Sequence, residues 1–117
     1  MDIESIRMYC ILKKAVTECM PFDDKTLVFK VAGKIFALAV LDAHPLRLNL
    51  KCDPEKAIDL RERFESVRPG YHSNKKHWNT IEVNGEIPEK VIYKLIDHSY
   101  NLVIAKLTKK MRQKYLL

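Results

Sequence analysis

Residues 68–80 hold the densest run of chemistry-bearing side chains in the chain: Arg68-Pro69-Gly70-Tyr71-His72-Ser73-Asn74-Lys75-Lys76-His77-Trp78-Asn79-Thr80. Arg68, Lys75 and Lys76 supply cations of the kind that neutralise phosphates. His72, Asn74, His77 and Asn79 offer hydrogen bonds to phosphate, sugar or base edges. Tyr71 and Trp78 carry rings on which an unpaired base can stack. Together they describe a nucleic-acid contact loop, although the same residue types line many polar ligand clefts. Each also has a plainer role. Trp78 opens a strand pattern, where a core anchor is its commoner function. Lys75 and Lys76 fit a solvated loop tip.

An enzyme can be assembled from the same residues. His72 or His77 would act as general base near neutral pH, Asn74 or Asn79 would orient it, and Lys75 or Lys76 would hold an anion. No nucleophile with a recognisable local motif accompanies them; Ser73 and Ser99 lack a G-x-S-x-G setting. His72 and His77 stand five apart, off the helical ligand spacing, and further metal ligands are missing nearby. The thiols Cys10, Cys19 and Cys52 are odd in number and without C-x-x-C spacing. They read as free thiols of a reducing compartment, with Cys10 in the core. Only Cys52, beside Lys51 at a helix start, has a setting that would activate sulfur, and faintly.

The charge is local. The chain has 117 residues, 21 Lys+Arg against 15 Asp+Glu, and a formal net charge of +6. Residues 106–117 contain Lys106, Lys109, Lys110, Arg112 and Lys114 with no acid, and residues 68–78 contain three cations with no acid. The remainder is slightly acidic. The tail reads as the basic end of a helix, favoured by its dipole. Hydrophobic residues make up 47% and charged residues 31%, enough apolar content for one packed domain over 1–117. No apolar run approaches the ~18 residues of a membrane span. The opening Met1-Asp2-Ile3-Glu4 lacks the basic and apolar regions of a secretion signal.

The elements that must position these groups follow from periodicity. Residues 2–17 read as a helix capped by Asp2, with Met8, Ile11, Leu12 and Ala15 as its apolar stripe. Thr26–Val31 and Lys34–Leu41 read as strands joined by a tight Ala32-Gly33 turn. Leu46, Leu48 and Leu50 alternate with polar residues after the His44-Pro45 turn, a half-buried strand. Asp53-Pro54 opens a helix with Ala57, Leu60 and Phe64 on one face, and Pro69-Gly70 ends that unit. Residues 71–77 read as a loop or short irregular strand, Trp78–Val83 as a strand closed at Asn84-Gly85. Pro88 starts the last helix, with Ile92, Leu95, Ile96, Leu102 and Val103 inward and Ser99 allowing close approach to a sheet. His98 falls mid-helix and reads as exposed. The order α-β-β-β-α-β(β)-α predicts an α+β, two-layer fold with helices on one face of an antiparallel sheet.

Several strings resemble the MmcQ/YjbR family of small bacterial proteins. They are Gly33-Lys34-Ile35-Phe36-Ala37, Leu50-Lys51-Cys52-Asp53-Pro54-Glu55, Pro69-Gly70-Tyr71-His72-x-Asn74-Lys75-x-His77-Trp78-Asn79-Thr80, and Ser99-Tyr100 followed by Val103 and Lys106-Leu107. The chain departs from the family at Lys14-Ala15-Val16, where many members have a Pro-Gly turn. The resemblance implies a fold similar to the CyaY/frataxin or secretion-chaperone type and a DNA-binding label. By position it carries over His72, Asn74, Lys75, His77, Trp78 and Ser99-Tyr100, some of which would pack or pin the loop. The expectation is a cytoplasmic, non-enzymatic protein without cofactor or metal, monomeric or weakly dimeric. It would contact double-stranded DNA through Arg68, Tyr71, His72, Asn74, Lys75, Lys76, His77, Trp78, Asn79 and Lys34. The alternatives are a chaperone-like adaptor, and a small-anion binder or enzyme using the His72–Asn79 loop.

Overall fold

The structure, a computed structural model, describes residues 1–70 and 74–117; Tyr71, His72 and Ser73 lie outside the described residues. In chain order the elements are α1 (Ile3–Ile11), β1 (Val16–Cys19), β2 (Thr26–Val31), β3 (Lys34–Val40), β4 (Leu46–Lys51), α2 (Pro54–Arg63), β5 (Val67–Pro69), β6 (Trp78–Val83), α3 (Glu89–Ala105) and α4 (Lys109–Tyr115). The strands form one antiparallel sheet in the order β1-β2-β3-β4-β6-β5. The α+β class and the meander β2-β3-β4 are as expected. Two short edge strands and the separate α4 are additions.

The first helix stops earlier than its apolar spacing suggested. Met8 and Leu12 of the expected stripe are exposed, and the buried positions are Ile6 and Cys10. Ala15 takes φ 63°, a left-handed conformation that a helix cannot include. It turns the chain so that Val16–Cys19 pairs with Val28–Val31 as β1. Ala15 thus adopts a backbone that glycine would favour. Asp2 caps α1 as expected, its carboxylate accepting from the Ser5 amide at 2.9 Å.

The Ala32-Gly33 turn has φ 49° and 81°, the doubly positive pair that joins twisted antiparallel strands. One strand residue is extra: Phe29 faces Ala37 and Lys30 faces Ile35, so Phe36 sits in a bulge. A bulged residue leaves the regular ladder, and the Phe36 carbonyl accepts instead from Ser99 Oγ at 2.5 Å. Ser99 Oγ also accepts from the Lys51 amide at 2.9 Å. The small residue on α3 therefore ties β3 to β4 at close range, as its position predicted.

The core lies between the sheet and the helices. Phe29, Phe36, Leu48, Leu50, Ile81, Ile92 and Ile96 are buried there, each contributing on the order of 1.5–3 kcal/mol by leaving water. Leu102 is only half-buried. Tyr9 of α1 donates to both Asp97 oxygens at 2.8 Å, and Lys13 pairs with the same carboxylate, fastening α1 to α3. Asp53 caps α2, with Pro54 first in the helix, and Ala57 and Leu60 are buried. The tail is not a continuation of α3. Lys106 ends that helix, and Thr108 caps α4 by accepting from the Met111 amide. No described helix is long and apolar enough to cross a membrane.

Candidate nucleic-acid interface

Register decides where the basic segments lie. Asn79 faces both Leu50 and Pro69, so the Gly70–His77 connection leaves the sheet at the end where β4 finishes. The Cys52 amide donates to the His77 carbonyl at 2.7 Å, joining the loop to the start of α2. Ser99, one turn and a half before the end of α3, bonds Lys51 at the same end. The β2–β3 turn and the α1–β1 connection belong there too, since Val16 faces Val31 and Val31 faces Lys34. Lys75 and Lys76 of one acid-free segment and Lys106 of the other thus lie at one end of the sheet, whereas Arg68 sits within it, opposite Thr80.

Lys14, Lys34, Lys51, Lys75, Lys76 and Lys106 gather at that end, each from a different turn, loop or terminus except the adjacent pair. Among the described residues none of the six has a carboxylate within ion-pair distance. Lys51 is half-buried, and its ammonium is held below the ordinary lysine value by burial and by the neighbouring Lys106. Two like charges in contact without a counter-ion favour an anion. The opposite end carries Asp23, Asp24, Asp42, Glu65 and Glu86, in the β1–β2, β3–β4, α2–β5 and β6–α3 connections. The Glu86 carboxyl is kept low by the hydroxyl and amide of Ser66.

The loop residues divide by role. Asn74 is exposed and folds the loop on itself: Oδ1 accepts from the Lys76 amide at 2.9 Å, and its carbonyl accepts from the His77 and Trp78 amides. Lys75 and Lys76 are exposed. Asn79 turns inward, 2% exposed, accepting from Arg61 Nε at 2.7 Å and donating to the Ala57 carbonyl. It is a positioning residue and not a surface contact. Arg61 of α2 extends the same clamp to the carbonyls of Lys75 and Trp78. Sequence reasoning missed Arg61, because its role depends on a helix packing beside the loop. Arg68 is exposed but pairs with Glu82 at 3.4 Å, which spends part of its charge. Lys34 lies at the same end of the sheet as the loop.

Trp78 is half-buried, and it alternates with Asn79 so that it lies on the sheet face away from the helices. It is therefore not packed with Ser99 and Tyr100, which meet Phe36 on the helix side. Tyr71 and His72 fall outside the described residues, and with them the reading that sets His72 beside His77. The expected exposure of His98 is corrected: it is half-buried, and Nε2 accepts from the Asp53 amide at 3.1 Å. Burial and nearby Lys56 hold its pKa below the ordinary value. Cys52 is buried with its thiol pushed up, opposite to an activated nucleophile.

A six-stranded antiparallel sheet, covered by helices on one face and carrying a basic loop cluster at one end, places the chain among the α+β folds. The chain belongs to the YjbR family, whose pattern matches residues 12–102. It is 43% identical over 93 residues to the uncharacterized protein YbdF of Escherichia coli O157:H7, covering 79% of this chain and 75% of the relative. It is 33% identical over 113 residues to the uncharacterized protein YjbR of Escherichia coli K12, covering 97% and 96%. The crystal structure of Deinococcus radiodurans protein DR2400 is similar with TM-score 0.94 and 40% identity, over 98% of this chain and 88% of that one. A Pseudomonas syringae crystal structure matches with TM-score 0.76 and 27% identity, over 87% and 98%.

Proposed function

We propose that this protein binds double-stranded DNA non-enzymatically, through the phosphate backbone, with the basic end of its sheet. The observation that carries the reading is the gathering of six unpaired lysines from separate segments at one end, opposite an acidic end. Lys75 and Lys76 stand at its rim within residues 74–78, whose backbone Asn74 and Arg61 hold. A pre-formed basic rim neutralises phosphates without the cost of ordering a loop on binding. This interface is backbone-directed. The described side chains free to reach base edges are few, because Asn79 is spent internally.

Fluorescence anisotropy with a labelled duplex tests this. With about six phosphate contacts, affinity falls ~10³-fold between 50 and 200 mM salt. Reversal of Lys75 and Lys76 to Glu weakens binding at 50 mM and flattens the salt slope by about 2. Absence of binding at 50 mM salt, or an unchanged slope after reversal, refutes the reading. A chaperone-like adaptor is the second reading, favoured by the apolar cleft on the open sheet face. It predicts a defined protein partner captured by the wild type and lost on Leu38→Lys.

A further inference from the structure

The helix-free face of the sheet is not flat. Between Phe22 and Trp78 it forms a cleft of about 600 Å³ floored by Ile35, Leu38 and Val40. That size lies within the ~300–1,000 Å³ of small-molecule sites, which are mostly apolar with a few convergent polar groups. The cleft's polar lining is Asp23, Thr26, Arg47, Asn49 and Asn74, of which Arg47 and Asn49 offer free donors. Arg47 and Asn49, two apart on β4, share this face, and both line the cleft. Among the described residues Arg47 has no acceptor; its cross-strand neighbour Glu82 pairs with Arg68 instead. Asn49 is 7% exposed. Its Oδ1 takes the Thr80 hydroxyl, which leaves the amide NH₂ without an acceptor among the described residues. The cleft's one acid, Asp23, turns Oδ1 to the Lys25 and Thr26 amides, at 2.9 and 2.8 Å.

We infer that this cleft binds a small amphipathic carboxylate. Its carboxylate is received by the Arg47 guanidinium and the Asn49 amide, and its apolar body lies over Leu38 and Val40 between Phe22 and Trp78. A guanidinium beside an amide donor matches the two oxygens of a carboxylate. A cationic guest would set like charge against the guanidinium, and a neutral one would leave its charge unanswered. A long peptide is a poorer match to a bounded cleft of this volume. The inference does not rest on DNA binding, since Arg47 lies outside the six-lysine cluster.

Trp78 is the only tryptophan and lines the cleft, so its emission reports occupancy directly. Octanoate and octanol, titrated below any micelle-forming concentration, serve as probes. Octanoate should give a saturable change in Trp78 emission and shift the Leu38 and Val40 methyl resonances, with octanol about tenfold or more weaker. Arg47→Gln should weaken octanoate by a similar factor and leave octanol and the urea midpoint unchanged. Methyl shifts elsewhere on the protein, equal binding of acid and alcohol, or octanoate binding untouched by Arg47→Gln each overturns the inference. Absence of saturation by both emission and methyl shifts also overturns it, and leaves the DNA measurements unaffected.

Discussion

Replacing Arg61 by Met should do more to the basic loop than removing any of the loop's own side chains. Arg61 Nε donates to Asn79 Oδ1 at 2.7 Å, and its terminal nitrogen reaches the Trp78 carbonyl at 3.3 Å and the Lys75 carbonyl. Methionine keeps the stem packed on α2 and deletes all three donors. A hydrogen bond from a charged donor is worth about 1.5–3 kcal/mol, and an orphaned buried acceptor costs about 1–3 kcal/mol. Asn79 is 2% exposed, so water cannot replace the lost donor at its Oδ1. The loop carbonyls sit nearer solvent and recover most of their loss. The sum is about 3 kcal/mol, which at an m-value of ~1.5 kcal/mol/M lowers the urea midpoint by roughly 2 M. Arg61→Lys should recover little, because one ammonium cannot span acceptors placed for a planar fork. Urea unfolding followed by Trp78 emission measures both. A loss below about 0.5 kcal/mol for Arg61→Met would place it in the ordinary surface range and refute the clamp.

A Cβ on Gly70 would stand 2.8 Å from the Trp78 Cβ and 3.0 Å from its carbonyl oxygen, so Gly70→Ala should cost about 1–3 kcal/mol in urea unfolding. Ala15→Gly should stabilise by roughly 0.5 kcal/mol, the left-handed penalty of about 1 kcal/mol being partly offset by glycine's greater unfolded freedom; a lowered melting temperature would contradict the strained turn. His98 has a depressed pKa in the fold and accepts the Asp53 amide. Its stability contribution is therefore complete above its unfolded value near 6.5 and is lost as pH falls below that. The urea midpoint should drop from pH 7.5 to 5.5, and His98→Gln should flatten that drop. Cys10 and Cys52 are buried with raised pKa values, Cys10 to about 12. Ellman's reagent should accordingly label Cys19 quickly in the native protein and all three thiols after unfolding.

The elements with local chemistry of their own were legible in the sequence. Asp53-Pro54 carries a cap and a preset φ, Ala32-Gly33 a turn, and Leu46, Leu48 and Leu50 a clean alternation; each appears at its expected place. What escaped depends on distant contacts. The stretch after Ile11 reads as helix because Leu12 and Ala15 continue the helical apolar spacing, and only pairing with β2 makes Val16–Cys19 a strand. His98 reads as exposed because its hydrogen-bond partner, the Asp53 amide, lies 45 positions away. The site was half legible. Lys75, Lys76 and Asn74 could be singled out by type. The inward turn of Asn79 needed Arg61, and the assembly of lysines at one end needed the sheet order.

The held backbone of residues 74–78 makes the charge there separable from the fold. The groups that shape it are the Asn74 carboxamide and carbonyl, the His77 carbonyl held by Cys52, and the Arg61 clamp. None of these uses the Lys75 or Lys76 ammonium, and neither lysine has an ion pair among the described residues. Reversing both charges should therefore leave the urea midpoint within about 0.5 kcal/mol of wild type, as for surface changes away from structural contacts. Reversal even relieves repulsion at an end already crowded with lysines. A loss of DNA affinity in that variant would report on electrostatics at the rim, whereas the same loss in Arg61→Met would report on loop geometry. If charge reversal unfolds the protein, the lysines belong to the clamp, and the division of the loop into positioning residues and contacting residues fails.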